Sequence, residues 1–133
     1  MTRAAVIGAG AWGTTFASVL ADAGTDVALW GRDDAVVRSI LETGRHERAI
    51  PGVDLNRAIR ATTDIEEALA GADIVAVALP AQSVRAIIAP LRALVPGDAV
   101  AVSLMKGIET GTHERMSQVI GEAWGLPDAR LAV

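Results

Sequence analysis

Cysteine is absent from the 133 residues, and so is tyrosine. Without thiols the chain has no disulfide framework, zinc knuckle or thiol nucleophile, and its composition fits a reducing, cytoplasmic setting. Lysine occurs once, as Lys106, against 11 arginines scattered without a run, and the formal net charge is −4. A general binder of nucleic acid or of a membrane surface needs a concentrated positive field, so neither partner is expected, and any anion must be held locally. No apolar run approaches the ~20 residues that span a bilayer, so membrane insertion is not expected either. Arg3 ahead of the charge-free stretch 4–21, with Ala21-Asp22-Ala23 after it, has the outline of an export signal. Gly8, Gly10, Gly13, Thr14 and Thr15 interrupt that stretch too often for an apolar signal core. The two histidines, His46 and His113, stand at no metal-ligand spacing, so both read as solvated and no metal site is expected.

What the chain does contain is apolar material, 51% of its residues, in a regular alternation. A length of 133 suits one domain that buries about two-thirds of its unfolded surface. Short continuous apolar runs predict strands covered on both faces: Ala4–Ile7, Val27–Trp30, Ile59–Thr62, Asp73–Leu79, Ala99–Leu104 and a last one beginning at Leu131. Between them, helical spacing predicts five helices. The first carries Trp12, Phe16, Val19, Leu20 and Ala23 on its apolar face, with Gly24 as its C-terminal cap. The second carries Val36, Val37, Ile40 and Leu41, and 44–56 reads as a loop. The third opens on Thr63-Asp64-Ile65-Glu66, a capping box, and ends at Gly71. The fourth carries Val84, Ile87, Ile88, Leu91 and Leu94 and is kinked or split by Pro90, and the fifth carries Met116, Val119, Ile120 and Trp124. Strand–helix alternation from end to end predicts an α/β fold, a Rossmann-type doubly wound parallel sheet of order 3-2-1-4-5-6. The sequence stops at Val133 inside an apolar run, which reads as a fragment truncated in its sixth strand.

The first turn reads Gly8-Ala9-Gly10-Ala11-Trp12-Gly13, a complete G-x-G-x-x-G set between a strand and a helix. In that setting Gly8 makes the tight turn, Gly10 admits a pyrophosphate to the backbone and Gly13 lets helix and strand pack closely. The helix N-terminus adds free N–H groups and partial positive charge, so an acidic protein can still hold a dinucleotide. An acidic residue about 20 residues on selects NAD; here that corner reads Trp30-Gly31-Arg32-Asp33. A guanidinium there pairs with a 2′-phosphate, which favours NADP with NAD tolerated, while Asp33 either accepts from a ribose hydroxyl or caps the next helix. Lys106, beyond the fifth strand, is a candidate contact for an oxygen of a small substrate. Leu79-Pro80-Ala81-Gln82, at the same rim, borders the nicotinamide or simply starts a helix. Trp30 and Trp124 read as packing residues.

These segments resemble the N-terminal half of the bacterial NAD(P)-dependent glycerol-3-phosphate dehydrogenases. The resemblance is carried by Gly8–Thr14, Leu29-Trp30-Gly31-Arg32, Leu79–Gln82, Lys106-Gly107-Ile108-Glu109 and Ile50-Pro51-Gly52, in order along nearly the whole chain. It implies cofactor contacts at Ala11, Trp12, Arg32 and Lys106 beside Gly8, Gly10, Gly13 and Pro80 already read from the turns, with NADP or NAD bound, and Lys106 also touching substrate. Ala11 departs from the serine frequent in the family at that position. The implied reaction interconverts sn-glycerol 3-phosphate and dihydroxyacetone phosphate in glycerophospholipid synthesis. The proton-transferring lysine belongs to a helical C-terminal domain, so no catalytic residue is expected within 1–133, and a homodimer is expected of the full-length protein. Two other readings stay open: another two-domain hydroxyacid or sugar-phosphate dehydrogenase, or a stand-alone dinucleotide-binding regulatory module.

Overall fold

Ala5, Val6 and Ile7 are fully buried although they point alternately to opposite faces, which a strand allows only when both faces are covered. The computed structural model, which describes residues 1–133, shows how. Six parallel strands lie in the order β3-β2-β1-β4-β5-β6: β1 (Arg3–Ile7), β2 (Asp26–Trp30), β3 (Arg60–Thr62), β4 (Ile74–Val77), β5 (Val100–Ser103) and β6 (Leu131–Ala132). The order and parallel sense are those predicted. Five helices connect them: α1 (Ala11–Asp22), α2 (Asp34–Thr43), α3 (Ile65–Leu69), α4 (Val84–Ile88) and α5 (Met116–Trp124). Val6, Ala76 and Leu29 pack with α1 and α2 on one face, while Ala5, Ile7, Val75 and Val77 pack with α3, α4 and α5 on the other. Each fully buried Val, Leu or Ile contributes about 1.5–3 kcal/mol relative to exposure. The strand order reverses between β1 and β4, the place where open parallel sheets leave a crevice beyond their carboxyl ends. At the opposite, amino-terminal edge, Asp26 takes ion pairs from Arg3 at 3.0 Å and Arg60 at 2.9 Å, tying β1, β2 and β3 together. No helix is long and apolar enough to cross a membrane.

The structure corrects three local expectations. The face α1 turns to the sheet is not the large apolar one: Gly13, Thr14, Ala17 and Ala21 are buried, whereas Trp12 is 55% and Val19 59% exposed. Close approach is the reason, since a Cβ on Gly13 would stand 2.0 Å from the Gly8 carbonyl oxygen. Only small side chains fit under this helix. The cap of α3 is Asp64, not Thr63: its carboxylate accepts from Glu66 N at 3.0 Å and Glu67 N at 3.2 Å. Thr62 supplies the hydroxyl instead, accepting from Asp64 N and donating to Glu67. β4 ends at Val77 instead of Leu79, because after Ala78, which still donates to Ile7 O, the chain turns toward α4 at Pro80. Pro90 divides the fourth helix as predicted, into α4 and a 3₁₀ segment, Ala89–Leu94.

Candidate dinucleotide site

A cleft of about 480 Å³ opens beyond the carboxyl ends of β1, β2 and β4. One wall is the turn Gly8-Ala9-Gly10, the second the corner Trp30–Asp33, and the third the turn Ala78–Pro80 with Ser83 and Ile87 behind it. Backbone hydrogen bonds tie each turn to a neighbouring strand end. Gly8 N donates to Trp30 O at 2.9 Å, Gly31 N to Thr62 O at 3.1 Å and Ala78 N to Ile7 O at 2.8 Å.

The three motif glycines have different reasons to be glycine. Gly8 has φ +116°, and a Cβ there would lie 2.1 Å from Ala78 O. Gly13 is forced by the helix–strand approach already described. Gly10 is not forced by the protein: φ is −81°, and a Cβ would meet no atom within 4 Å. Open space before a helix N-terminus is what a pyrophosphate requires. The amides of Ala11, Trp12 and Gly13 lie in the first turn of α1, where no intrahelical acceptor exists; no side chain caps them and no acidic residue stands beside them. The local field is therefore positive.

The corner after β2 combines charges of both signs. Arg32 is exposed and forms no ion pair. Asp33 caps α2, its Oδ1 accepting from Ala35 N at 2.9 Å, and its Oδ2 accepts from Arg48 Nη1 at 2.7 Å. Arg48, followed by the α2 cap, holds the Asp33 carboxyl below the usual carboxylate range.

Arg48 belongs to the loop expected over 44–56, which the structure shows to be closed on itself. Leu55 N donates to Gly44 O at 2.8 Å across its base, Arg45 pairs with Asp54 at 2.7 Å, and Glu47 accepts from Gly52 N at 2.9 Å. His46 corrects the expectation of a solvated side chain. It is 4% exposed, with Nε2 2.7 Å from Ala9 O. A carbonyl only accepts, so Nε2 carries the proton and donates to the glycine turn. The loop is thus pinned at both turns: by His46 to the one after β1, and by Arg48 to the one after β2. The 16 residues between α2 and β3 carry no helix or strand, and a connection of that length is itself a pointer to function.

Of the predicted contacts, Gly8, Gly10, Arg32 and Pro80 line the cleft, while Ala11, Trp12, Gly13 and Lys106 do not. Ala11 and Trp12 adjoin it through the helix start, and Gly13 lies beneath it. Lys106 is exposed in the loop after β5. That loop is held against the β4 rim: Gln82 Nε2 donates to Ile108 O at 3.0 Å, its Oε1 accepts from Thr110 N at 2.8 Å, and a Cβ on Gly107 would touch Ala81 at 3.7 Å. Arg85 fastens the far end, bridging Glu109 and Glu114 at 2.9 Å and Glu122 at 3.1 Å. It lowers the Glu109 pKa, while Glu122 raises that of Glu114. Trp124 is a packing residue, donating to Ile88 O from within the core; Trp30 packs too, but also forms cleft wall. No group of three His, Asp or Glu side chains is placed to hold a metal.

A parallel sheet reversing at β1/β4, a glycine turn leading to uncapped amides and a cleft over both define the class of dinucleotide-binding α/β domains. Residues 3–133 match the family model described as NAD-dependent glycerol-3-phosphate dehydrogenase N-terminus, and the chain belongs to that family. It is 51% identical over 135 residues to a glycerol-3-phosphate dehydrogenase [NAD(P)+] of Thermobifida fusca, a match covering all of this chain and 40% of that protein. Among solved structures, the glycerol-3-phosphate dehydrogenase of Coxiella burnetii superposes with a TM-score of 0.84 at 25% identity, covering 93% of this chain and 38% of the other. That of Saccharomyces cerevisiae gives 0.84 at 26%, covering 94% and 40%. The chain therefore spans about two-fifths of the length of the relatives it matches.

Proposed function

We propose that this chain is the cofactor-binding domain of an NAD(P)-dependent glycerol-3-phosphate dehydrogenase, working with a helical substrate domain borne elsewhere in the protein. The reaction moves a hydride between sn-glycerol 3-phosphate and dihydroxyacetone phosphate and feeds glycerophospholipid synthesis in the cytoplasm. The cysteine-free composition supports that compartment, and the negative balance argues against nucleic-acid partners.

The observation that carries the reading is Gly10, a glycine without a packing reason at the entrance to uncapped helix amides. The cofactor, when bound, supplies the nicotinamide that accepts or gives the hydride. The residues of this chain hold and aim it. The first-turn amides of α1 take the diphosphate, Gly8 makes the turn that presents them, Gly10 leaves the ligand room, Arg32 faces the ribose phosphate and Pro80 borders the nicotinamide. Lys106 offers an ammonium to a substrate oxygen from the neighbouring loop. Such positioning brings reacting carbons to near-attack distance, where most of the catalytic advantage of a binding domain lies.

Calorimetric titration with NADPH and NADH tests this directly. Saturable 1:1 binding is expected, tighter for NADPH, and absence of heat with either refutes the reading. On the full-length protein, Lys106→Ala is expected to lower kcat/KM for dihydroxyacetone phosphate by about a hundredfold, since it removes a charged hydrogen bond. Unchanged kinetics would leave Lys106 a solvated loop residue.

A further inference from the structure

The adenosine corner holds two guanidinium groups and one carboxylate, and that carboxylate already carries an ion pair. Both Asp33 oxygens are engaged, one by the α2 backbone and one by Arg48. Arg48 offsets the Asp33 charge. Among the residues lining the cleft, the remaining formal charge is the one positive charge of Arg32 and Arg48 over Asp33. The corner is positive in a chain whose net charge is −4.

The backbone that carries Arg48 is tied to this corner. Arg48 sits two residues beyond His46, whose ring is buried against Ala9 O, and its loop is closed at the base by the Leu55–Gly44 hydrogen bond. Its guanidinium spends one N–H on Asp33 and retains the others in a fixed fork, the geometry that suits phosphate oxygens.

We infer that Arg48 is a second 2′-phosphate ligand, acting with Arg32, and that Asp33 holds Arg48 in place and does not select NAD. This rests on the dinucleotide-binding reading above and extends it to nucleotide choice. Arg48 contributes twice: it supplies donors, and it offsets a carboxylate that would otherwise repel the phosphate.

The test is titration of the unaltered chain, Arg48→Ala and Arg48→Glu with NADPH and with NADH. Arg48→Ala is expected to weaken NADPH about tenfold, the scale of one charge-assisted hydrogen bond at a partly solvated site. NADH should be unchanged or slightly tighter, because Asp33 Oδ2 becomes available to the 2′-hydroxyl. Arg48→Glu should widen the NADPH loss further, with NADH binding reporting that the fold and site persist. Equal losses for both nucleotides would make Arg48 a loop-shaping residue and overturn the inference while leaving the binding reading intact. No loss for either would overturn it as well. Failure of the unaltered chain to bind either nucleotide would overturn both readings together.

Discussion

The two rims of the cleft are built by different physics. On the β1/β2 side the structure is steric: Gly8 and Gly13 exclude a methyl group by 2.1 and 2.0 Å approaches, Gly31 would bring a Cβ to 2.8 Å from the Ala9 Cβ, and His46 is packed out of water. On the β4/β5 side it is electrostatic, one arginine holding three glutamates and a glutamine side chain standing in for backbone. The glycine turn of the first rim should respond first to added volume, charge entering that side only through the Asp33–Arg48 and Arg45–Asp54 pairs of the loop beside it. The second should tolerate volume and respond to pH and salt.

The sharpest way to break the contrast is Gly13→Ala. The new methyl meets backbone, which cannot yield cheaply, so a loss of about 3 kcal/mol or more is expected, a large share of a domain's stability. Urea denaturation measures it. Gly10→Ala separates packing from binding at the same turn: φ suits alanine there, so stability should fall by under about 1 kcal/mol. Nucleotide affinity should nonetheless fall about tenfold or more, because the methyl occupies the diphosphate approach. A Gly10→Ala chain with unaltered affinity would remove the special status of that glycine.

The smallest effect belongs to the electrostatic rim. Arg85→Ala leaves Glu109, Glu114 and Glu122 facing one another without their shared cation. The Glu109 pKa is depressed in the folded protein, so its contribution is present above the unfolded value and lost as pH falls through the folded one. Glu114 runs the other way, its raised pKa making ionisation unfavourable as pH rises. Removing Arg85 should therefore lower Tm more near about pH 8 than near about pH 4, where the carboxylates protonate. A fall independent of pH would show that Arg85 acts through its aliphatic packing.

Sequence reading found the fold because its signals are redundant. Continuous apolar runs, glycine ends and strand–helix alternation all agree on one sheet order. It erred where close approach overrides hydrophobic size, turning Trp12 and Val19 inward when Ala17 and Ala21 are the buried residues. It erred also in assigning the α3 cap to Thr63, one residue before the aspartate that performs it. Of the site, the glycine turn, Arg32 and Pro80 were legible from local spacing. His46 and Arg48 were not, because their partners, Ala9 and Asp33, lie 37 and 15 residues away. Only the chain's return over the sheet edge brings them together.

The 44–55 loop leaves and re-enters the domain through neighbouring residues, with a hydrogen bond across its neck. Exchanging its tip therefore costs little in chain entropy and leaves the sheet undisturbed. On the Arg48 proposal, single changes at the tip of this pinned loop shift coenzyme preference without touching the glycine motif on which every dinucleotide depends.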